Sequence, residues 1–345
     1  MAPLVWVLLA LVGCARAFAQ NTATDEVPVF RADSRLAVVG LHVIANRQYV
    51  TGLKASDFEL LEDGQPRRIV VFEGGQGGPR SLPVEIVLLF DNSGSVTGAG
   101  LLDAKLFRDD LLAGLPEAAL SVYSFGNRLE RMSGPTRDAA KLRQAFQGVV
   151  RKRPGEATFQ IGKGDSLIYE AVAAAARECS RSPQPATRLL LVVSDGLPGG
   201  ETDLAKAASV AQAAGIPVYP LVVGHRAREL EFQMRMEAPA AAGESPGAAA
   251  ARGNAGLKEF QRTEEQVAAF ASLGESTGGR SFDPPQLDPE TVRRIIQFLA
   301  DQVRYLYVVG YSPDFSSTPR AHNVEVRLRG QRGARLSGAR RIVVH

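Results

Sequence analysis

The sequence predicts an α/β protein: a doubly wound, mostly parallel sheet with helices on both faces, flanked by a small β subdomain drawn from both chain ends. Three observations carry this. Strand-like and helix-like segments alternate through the middle of the chain, the pattern of a parallel sheet with crossover helices. Two strands there, 84–90 and 188–193, are near-continuous apolar runs, as strands buried on both faces require. The flanks, about 29–72 and 304–345, read as short strands with turn signals and no helix between them.

The chain begins with an apolar run over residues 4–12, the length of a signal-peptide core and too short to span a bilayer. Ala17-Phe18-Ala19 before Gln20 is a small-x-small cleavage site, so residues 1–19 are expected to be a signal peptide. Leu11-Val12-Gly13-Cys14 offers a second processing route, in which Cys14 carries a lipid anchor. The mature protein is therefore expected to be secreted or to reside in the periplasm or cell envelope, or to be an outer-membrane lipoprotein. No later stretch is apolar for long enough to predict a transmembrane helix.

Residues 27–75 are expected to form an N-terminal β module. It includes the β-branched run 36–44, then 58–62, the turn signal Asp63-Gly64, and 68–72. Gly74 to Pro79 reads as a linker. The α/β domain is placed at 82–303. Its helices are expected at about 99–113, 136–149, 166–177, 203–214, 264–273 and 288–302, and its strands at 84–90, 119–125, 129–132, 188–193, 217–223 and 280–282. Residues 226–258 interrupt the rhythm. Their Ala-, Gly- and Pro-rich stretch carries few large apolar groups and predicts a flexible surface insertion. Residues 304–345 return to β pattern and are expected to pack with the N-terminal module, because neither set has enough strands to be stable alone.

Composition narrows the function classes. The 40 basic and 37 acidic side chains leave a net charge of +3, so nothing in the balance draws the chain to nucleic acid. The Arg-rich stretches 151–153 and 332–341 lack the interleaved aromatics of a base-stacking groove. Of the two cysteines, Cys14 lies in the leader and Cys179 is left without a partner, which excludes a disulfide framework and a thiolate metal site. Cys179, at the end of an Ala-rich helix, is expected to be a buried, inert thiol.

The stretch that carries chemistry is Leu88-Leu89-Phe90-Asp91-Asn92-Ser93-Gly94-Ser95. A buried strand runs out and an Asp-x-Ser-x-Ser turn leads into a helix. Mg²⁺ is small and hard, and it takes oxygen ligands in octahedral geometry. Hydroxyls at alternating positions, Ser93 and Ser95, can face one ion. Asp91 at the strand end supplies charge, and Gly94 lets the backbone curl closely.

This stretch resembles the metal-ion-dependent adhesion site of von Willebrand factor A domains. Gly164-Asp165-Ser166-Leu167-Ile168-Tyr169-Glu170-Ala171 resembles the Gly-Gly-Thr-Pro-Leu-Tyr-Asp-Ala segment of bacterial members, with Ser166 at the Thr position; Thr158 is a weaker candidate for that part. Leu189-Leu190-Leu191-Val192-Val193-Ser194-Asp195-Gly196 matches the strand that delivers the family's further Asp. The resemblance implies a metal site of Asp91, Ser93, Ser95, Ser166 and Asp195, holding Mg²⁺ or Mn²⁺. Motifs on both flanks (Val50-Thr51-Gly52-Leu53, Glu62-Asp63-Gly64-Gln65-Pro66, Thr277-Gly278-Gly279-Arg280) are similar to an acidobacterial family of VWFA-related proteins.

The implied function is a binding module, not an enzyme: an exported adhesion protein whose ion is completed by an Asp or Glu carboxylate of a partner protein. Two alternatives stand beside it, a structural envelope scaffold with an unused metal site and a metal-dependent phosphoryl-transfer enzyme. The last would usually need a second Asp two residues after Asp91, where Ser93 stands, and the chain has no Gly-rich phosphate loop.

Overall fold

The computed structural model describes residues 36–75, 83–98, 104–115, 118–149, 166–182, 186–239, 244–313, 321–330, 333–338 and 340–344. The leader, Cys14, the linker centre and Thr158 lie outside them. In chain order the elements open with β1 (Ala37–Ala45), β2 (Gln48–Tyr49), β3 (Phe58–Glu62), β4 (Gln65–Arg67), β5 (Val71–Gly74) and β6 (Val84–Asp91). There follow α1 (Gly94–Gly98), α2 (Ala104–Gly114), β7 (Ala118–Phe125), β8 (Leu129–Thr136), α3 (Ala139–Val149), α4 (Ile168–Arg181), β9 (Thr187–Ser194), α5 (Leu204–Ala213) and β10 (Val218–Val222). Last come α6 (His225–Glu237), α7 (Pro246–Thr277), α8 (Pro289–Arg304), β11 (Tyr307–Tyr311), β12 (Ala321–Leu328), β13 (Arg335–Ser337) and β14 (Arg340–Val344).

The central sheet has the order β10-β9-β6-β7-β8. All its pairs are parallel except β7 with β8. Every residue of β6 is buried, which is why its sequence shows no polar alternation. Its side chains nevertheless divide by parity. Val84, Ile86, Leu88 and Phe90 join the core under α2, α3 and α8, whereas Val87 and Leu89 join the core under α4, α5 and α7. Near the amino end, Glu85 of β6 follows the second parity; it takes a bond from Ser121 Oγ at 2.6 Å and an ion pair from Arg188 at 2.8 Å, so a carboxylate is tolerated inside the sheet.

Strands from the two chain ends interleave outside this sheet. β1 pairs antiparallel with β11 and β13, β11 pairs with β5, and β12 pairs with β3 and β14. Their side chains form a third core around Val39, Leu41, Phe58, Leu60, Tyr307, Val309, Tyr311, Val324 and Val326. Phe58, Phe72 and Tyr307 meet there at tilted ring contacts of 5.3–5.8 Å. Tyr311 donates to Glu62 at 2.6 Å, and Glu62 pairs with Arg67 at 2.7 Å, which accounts for a carboxylate in that apolar setting.

Among the described residues of the expected surface insertion at 226–258, α6 and the start of α7 are helical and pack against each other as a hairpin. Ser245 caps α7 by accepting from the Ala248 amide at 3.2 Å, and Pro246 occupies the first turn. The alanines of this stretch bury little surface, but alanine has the highest helix propensity. The missing apolar contact comes from across the hairpin, where Phe232 stacks on Phe260 at 4.2 Å and Arg235 pairs with Glu259 at 2.8 Å. The expected helix 264–273 is thereby the end of a 32-residue one. The expected strand 280–282 contributes only an isolated bridge from Phe282 to Leu221. The other helix ends differ by a few residues: α3 starts at Ala139 because β8 runs on to Thr136, and α8 starts as expected, with Asp288 capping Thr291 at 2.7 Å.

Cys179 is free and buried, and burial pushes its thiol up to about 12, so it stays a thiol. Among the described residues no helix is long and apolar enough to cross a membrane.

Candidate metal centre

The loops after β6 and β9 lie side by side at the carboxyl end of the sheet, where doubly wound folds hold ligands. The parallel register Phe90↔Val193 brings Asp91 next to Ser194, and parity turns both toward the same face. Asp91 and Ser194 are fully buried, and Ser166 and Asp195 are nearly so.

Asp91 is the hub. Its Oδ1 accepts from the Ser93 amide at 2.8 Å. Its Oδ2 accepts from Ser166 Oγ at 2.8 Å and from Ser194 Oγ at 2.6 Å. Ser93 Oγ and Ser95 Oγ lie 3.1 Å apart, and the Ser95 hydroxyl favours the ionised form of Asp195. Asp195 also accepts from the Leu197 amide at 3.1 Å. All five residues predicted from the sequence thus fall in one cluster. Ser194 was missed. Its signal was its place at the end of the buried strand beside Asp195, with the parity that faces Asp91. The Ser166 hydroxyl serves Asp91 and does not cap α4, which begins two residues later.

Neighbouring backbone fixes these positions. The Asn92 amide donates to Phe125 O at 2.7 Å, and the Thr97 amide and hydroxyl both donate to Ser93 O. Ser166 is held from both sides, since the Leu167 amide donates to Gly126 O at 2.8 Å and the Gly199 amide donates to Ser166 O at 2.7 Å. A Cβ at Gly126 would come 2.5 Å from Asn92 Oδ1, so a side chain there would have to displace the Asn92 amide. Glu170 accepts from the amides of Glu201 and Thr202 at 2.9 and 2.8 Å, tying the loop that follows Asp195 to α4.

The electrostatics are those of a place short of positive charge. Burial, with the Asp195 charge adding to it, pushes the Asp91 carboxyl up to about 6, against the bonds from Ser194 and Ser93. Burial likewise raises Asp195, opposed by the Ser95 hydroxyl, the Leu197 amide and the Arg228 charge. Two buried carboxylates within reach of each other suit a cation. The donors are all hard oxygens, as Mg²⁺ and Mn²⁺ prefer. A serine that gives its proton to Asp91 keeps its lone pairs for an ion, so Ser166 can serve carboxylate and metal together. Among the described residues no group of three or more His, Cys, Asp or Glu could hold a metal, so this centre relies on hydroxyls to supplement two carboxylates.

Comparison with known proteins gives one family match: residues 85–240 match the model of the von Willebrand factor type A domain. No curated protein matches the sequence. Among solved structures, the chain is similar to an aerotolerance-related membrane protein from Bacteroides fragilis, at 18% identity over 64% of this chain and 99% of that one, with a TM-score of 0.41. It is similar to BatB from Bacteroides thetaiotaomicron at 17% identity, over 64% and 99% of the two chains, with a TM-score of 0.41. The manganese-loaded TRAP protein of Plasmodium vivax follows at 14% identity, over 74% and 92%, with a TM-score of 0.31.

Proposed function

The chain carries a von Willebrand factor type A domain, and from that premise we propose that it is an exported adhesion or binding module whose metal centre takes an acidic group of a partner protein. The observation that carries this reading is the convergence of Ser166, Ser194 and the Ser93 amide on one buried carboxylate, Asp91, with Asp195 and Ser95 beside it. Asp91, Ser93, Ser95, Ser166 and Asp195 would hold Mg²⁺ or Mn²⁺. Such an ion, when bound, offers a coordination position that a carboxylate can complete.

The chain's own residues do the remaining work. Asp91 orients the hydroxyls of Ser166 and Ser194 by accepting their protons, so the lone pairs stay available. Both carboxylates stand at the ends of buried parallel strands, so little ordering is needed when a ligand arrives. The leader 1–19 and the alternative anchor at Cys14 support a location in the cell envelope or outside the cell.

Immobilised protein incubated with envelope extract in Mg²⁺, and again in EDTA, tests the module. A partner that is retained only with metal, and is lost with Asp91→Ala, is the expected result. Equal capture in both buffers points to a scaffold with an unused centre. Turnover of a generic phosphate ester that disappears in Asp91→Ala would place the chain among enzymes instead. Intact mass of the exported protein checks the leader: a chain beginning at Gln20 is expected, and a diacylglyceryl mass on Cys14 would mark a lipoprotein.

A further inference from the structure

Residues 196–203, which join Asp195 to α5, form neither helix nor strand. Such a segment keeps a shape only if its backbone groups find partners elsewhere. The Gly196 amide donates to Ser194 Oγ and the Leu197 amide to Asp195 Oδ1, each at 3.1 Å, and the Gly199 amide donates to the Ser166 carbonyl at 2.7 Å. These three bonds end on residues of the metal centre itself. The next two do not. The Glu201 and Thr202 amides both donate to Glu170 Oε1, at 2.9 and 2.8 Å. The chain passes so near that a Cβ at Gly200 would lie 2.5 Å from the same oxygen.

Glu170 stands in the first turn of α4. A glutamate at that place in a helix commonly turns back to the amide of the capping residue. Here the N-cap is Leu167, and its amide donates to Gly126 O at 2.8 Å instead. The Glu170 carboxylate crosses to the loop. Its Oε2 is buried and has no hydrogen-bond partner among the described residues, so Oε1 carries the whole attachment. An ionised acceptor makes the stronger kind of hydrogen bond. The start of α4 thus grips the loop twice, through the Ser166 carbonyl at Gly199 and through Glu170 at Glu201 and Thr202. Ser166 and Asp195 are thereby held in one frame.

We propose that Glu170 is a positioning residue of the metal centre: it is not a ligand, but it holds the loop after Asp195 in its ion-ready shape before any ion arrives. The effect on affinity rests on the metal centre proposed above; the hold on the loop does not. Without Glu170 the loop keeps its bonds to the centre and the packing of Leu197 on the core, and ion binding must supply the rest of the ordering. Glu170→Ala is expected to weaken Mg²⁺ binding about tenfold, the lower end for groups that orient metal ligands. Glu170→Gln keeps an acceptor oxygen for both amides and loses the charge, so its affinity stays within about threefold of wild type. Were the glutamate acting only as a distant negative charge that attracts the cation, the two variants would be equally weak.

The experiment is calorimetry with Mg²⁺ and Mn²⁺ on the full chain and both variants, with amide hydrogen exchange read by mass spectrometry in EDTA and in saturating Mg²⁺. In EDTA, the peptide covering 196–203 should exchange several-fold faster in Glu170→Ala than in wild type, while β6 and β9 exchange as before. Glu170→Gln should follow the wild type, and Mg²⁺ should close most of the gap in Glu170→Ala. A loop as protected in Glu170→Ala as in wild type overturns the proposal. So does faster exchange spread through β6 and β9, which marks a role in global stability. Equal loss of affinity in both variants, or none in Glu170→Ala, overturns the effect on affinity. If the wild type binds neither ion, the metal centre itself is refuted, and exchange in EDTA still decides whether Glu170 holds the loop.

Discussion

Asp91→Asn puts a number on the strain at the centre. The carboxyl is fully buried and is pushed from its ordinary 3.8 up to about 6, chiefly by burial and then by Asp195. That gap, at about 1.36 kcal/mol per pH unit, means the ionised group costs the metal-free fold roughly 3 kcal/mol at neutral pH. The sign follows from proton counting. Between 3.8 and about 6 the folded protein binds more protons at this position than the unfolded chain does, so wild-type stability falls as pH rises through that window and levels off above it. Asparagine does not titrate. Its oxygen still accepts from the Ser93 amide, but its NH₂ faces the hydroxyls of Ser166 and Ser194, which must turn to accept, at a cost of about 1 kcal/mol. In EDTA at pH 7.5 the variant should therefore be more stable than wild type by about 1–2 kcal/mol, and the advantage should vanish at pH 4. Saturating Mg²⁺ should reverse the order, since a ligand at one hundred times its Kd adds about 2.7 kcal/mol to the wild type alone. Because protons and metal compete for Asp91, wild-type affinity should fall as pH drops through about 6. Urea unfolding at the two pH values, with and without metal, measures every quantity. A variant less stable than wild type in EDTA at pH 7.5, or one that Mg²⁺ stabilises equally, would refute the reasoning.

Ser166→Thr keeps the hydroxyl that donates to Asp91 at 2.8 Å, so calorimetry should show Mg²⁺ binding at least as tight as wild type. Gly196→Ala should destabilise by about 1–3 kcal/mol in denaturant unfolding, because its φ is +80° and a Cβ would press on Phe270 and Val267 at 3.1 and 3.3 Å. Leu60→Ala, in the core shared by strands of both chain ends, should cost about 2–5 kcal/mol in the same assay and leave metal affinity unchanged.

Much of this molecule could be read along the chain because its signals are local. The buried runs ending in Asp91 and Asp195, and the caps at Asp203 and Asp288, need only near neighbours to express themselves. The site could be assembled from three separated segments because each falls at the end of a strand or before a helix, and the topology of such sheets gathers those ends. Ser194 was overlooked because its part depends on register: only once β6 and β9 align does its hydroxyl come 2.6 Å from Asp91.

The helical hairpin was not legible in the sequence. Read alone, 238–256 lacks the apolar groups to order itself. Phe260 and Glu259, outside that window, stack on Phe232 and pair with Arg235 once the chain reverses. The sequence by itself determined the parallel core, the loop chemistry and the order of the site segments, because hydrophobic period and turn chemistry act within a few residues. Tertiary structure alone decided which strands of the two ends pair and that an alanine-rich stretch packs as part of a helical hairpin, because both depend on contacts between residues far apart in the chain.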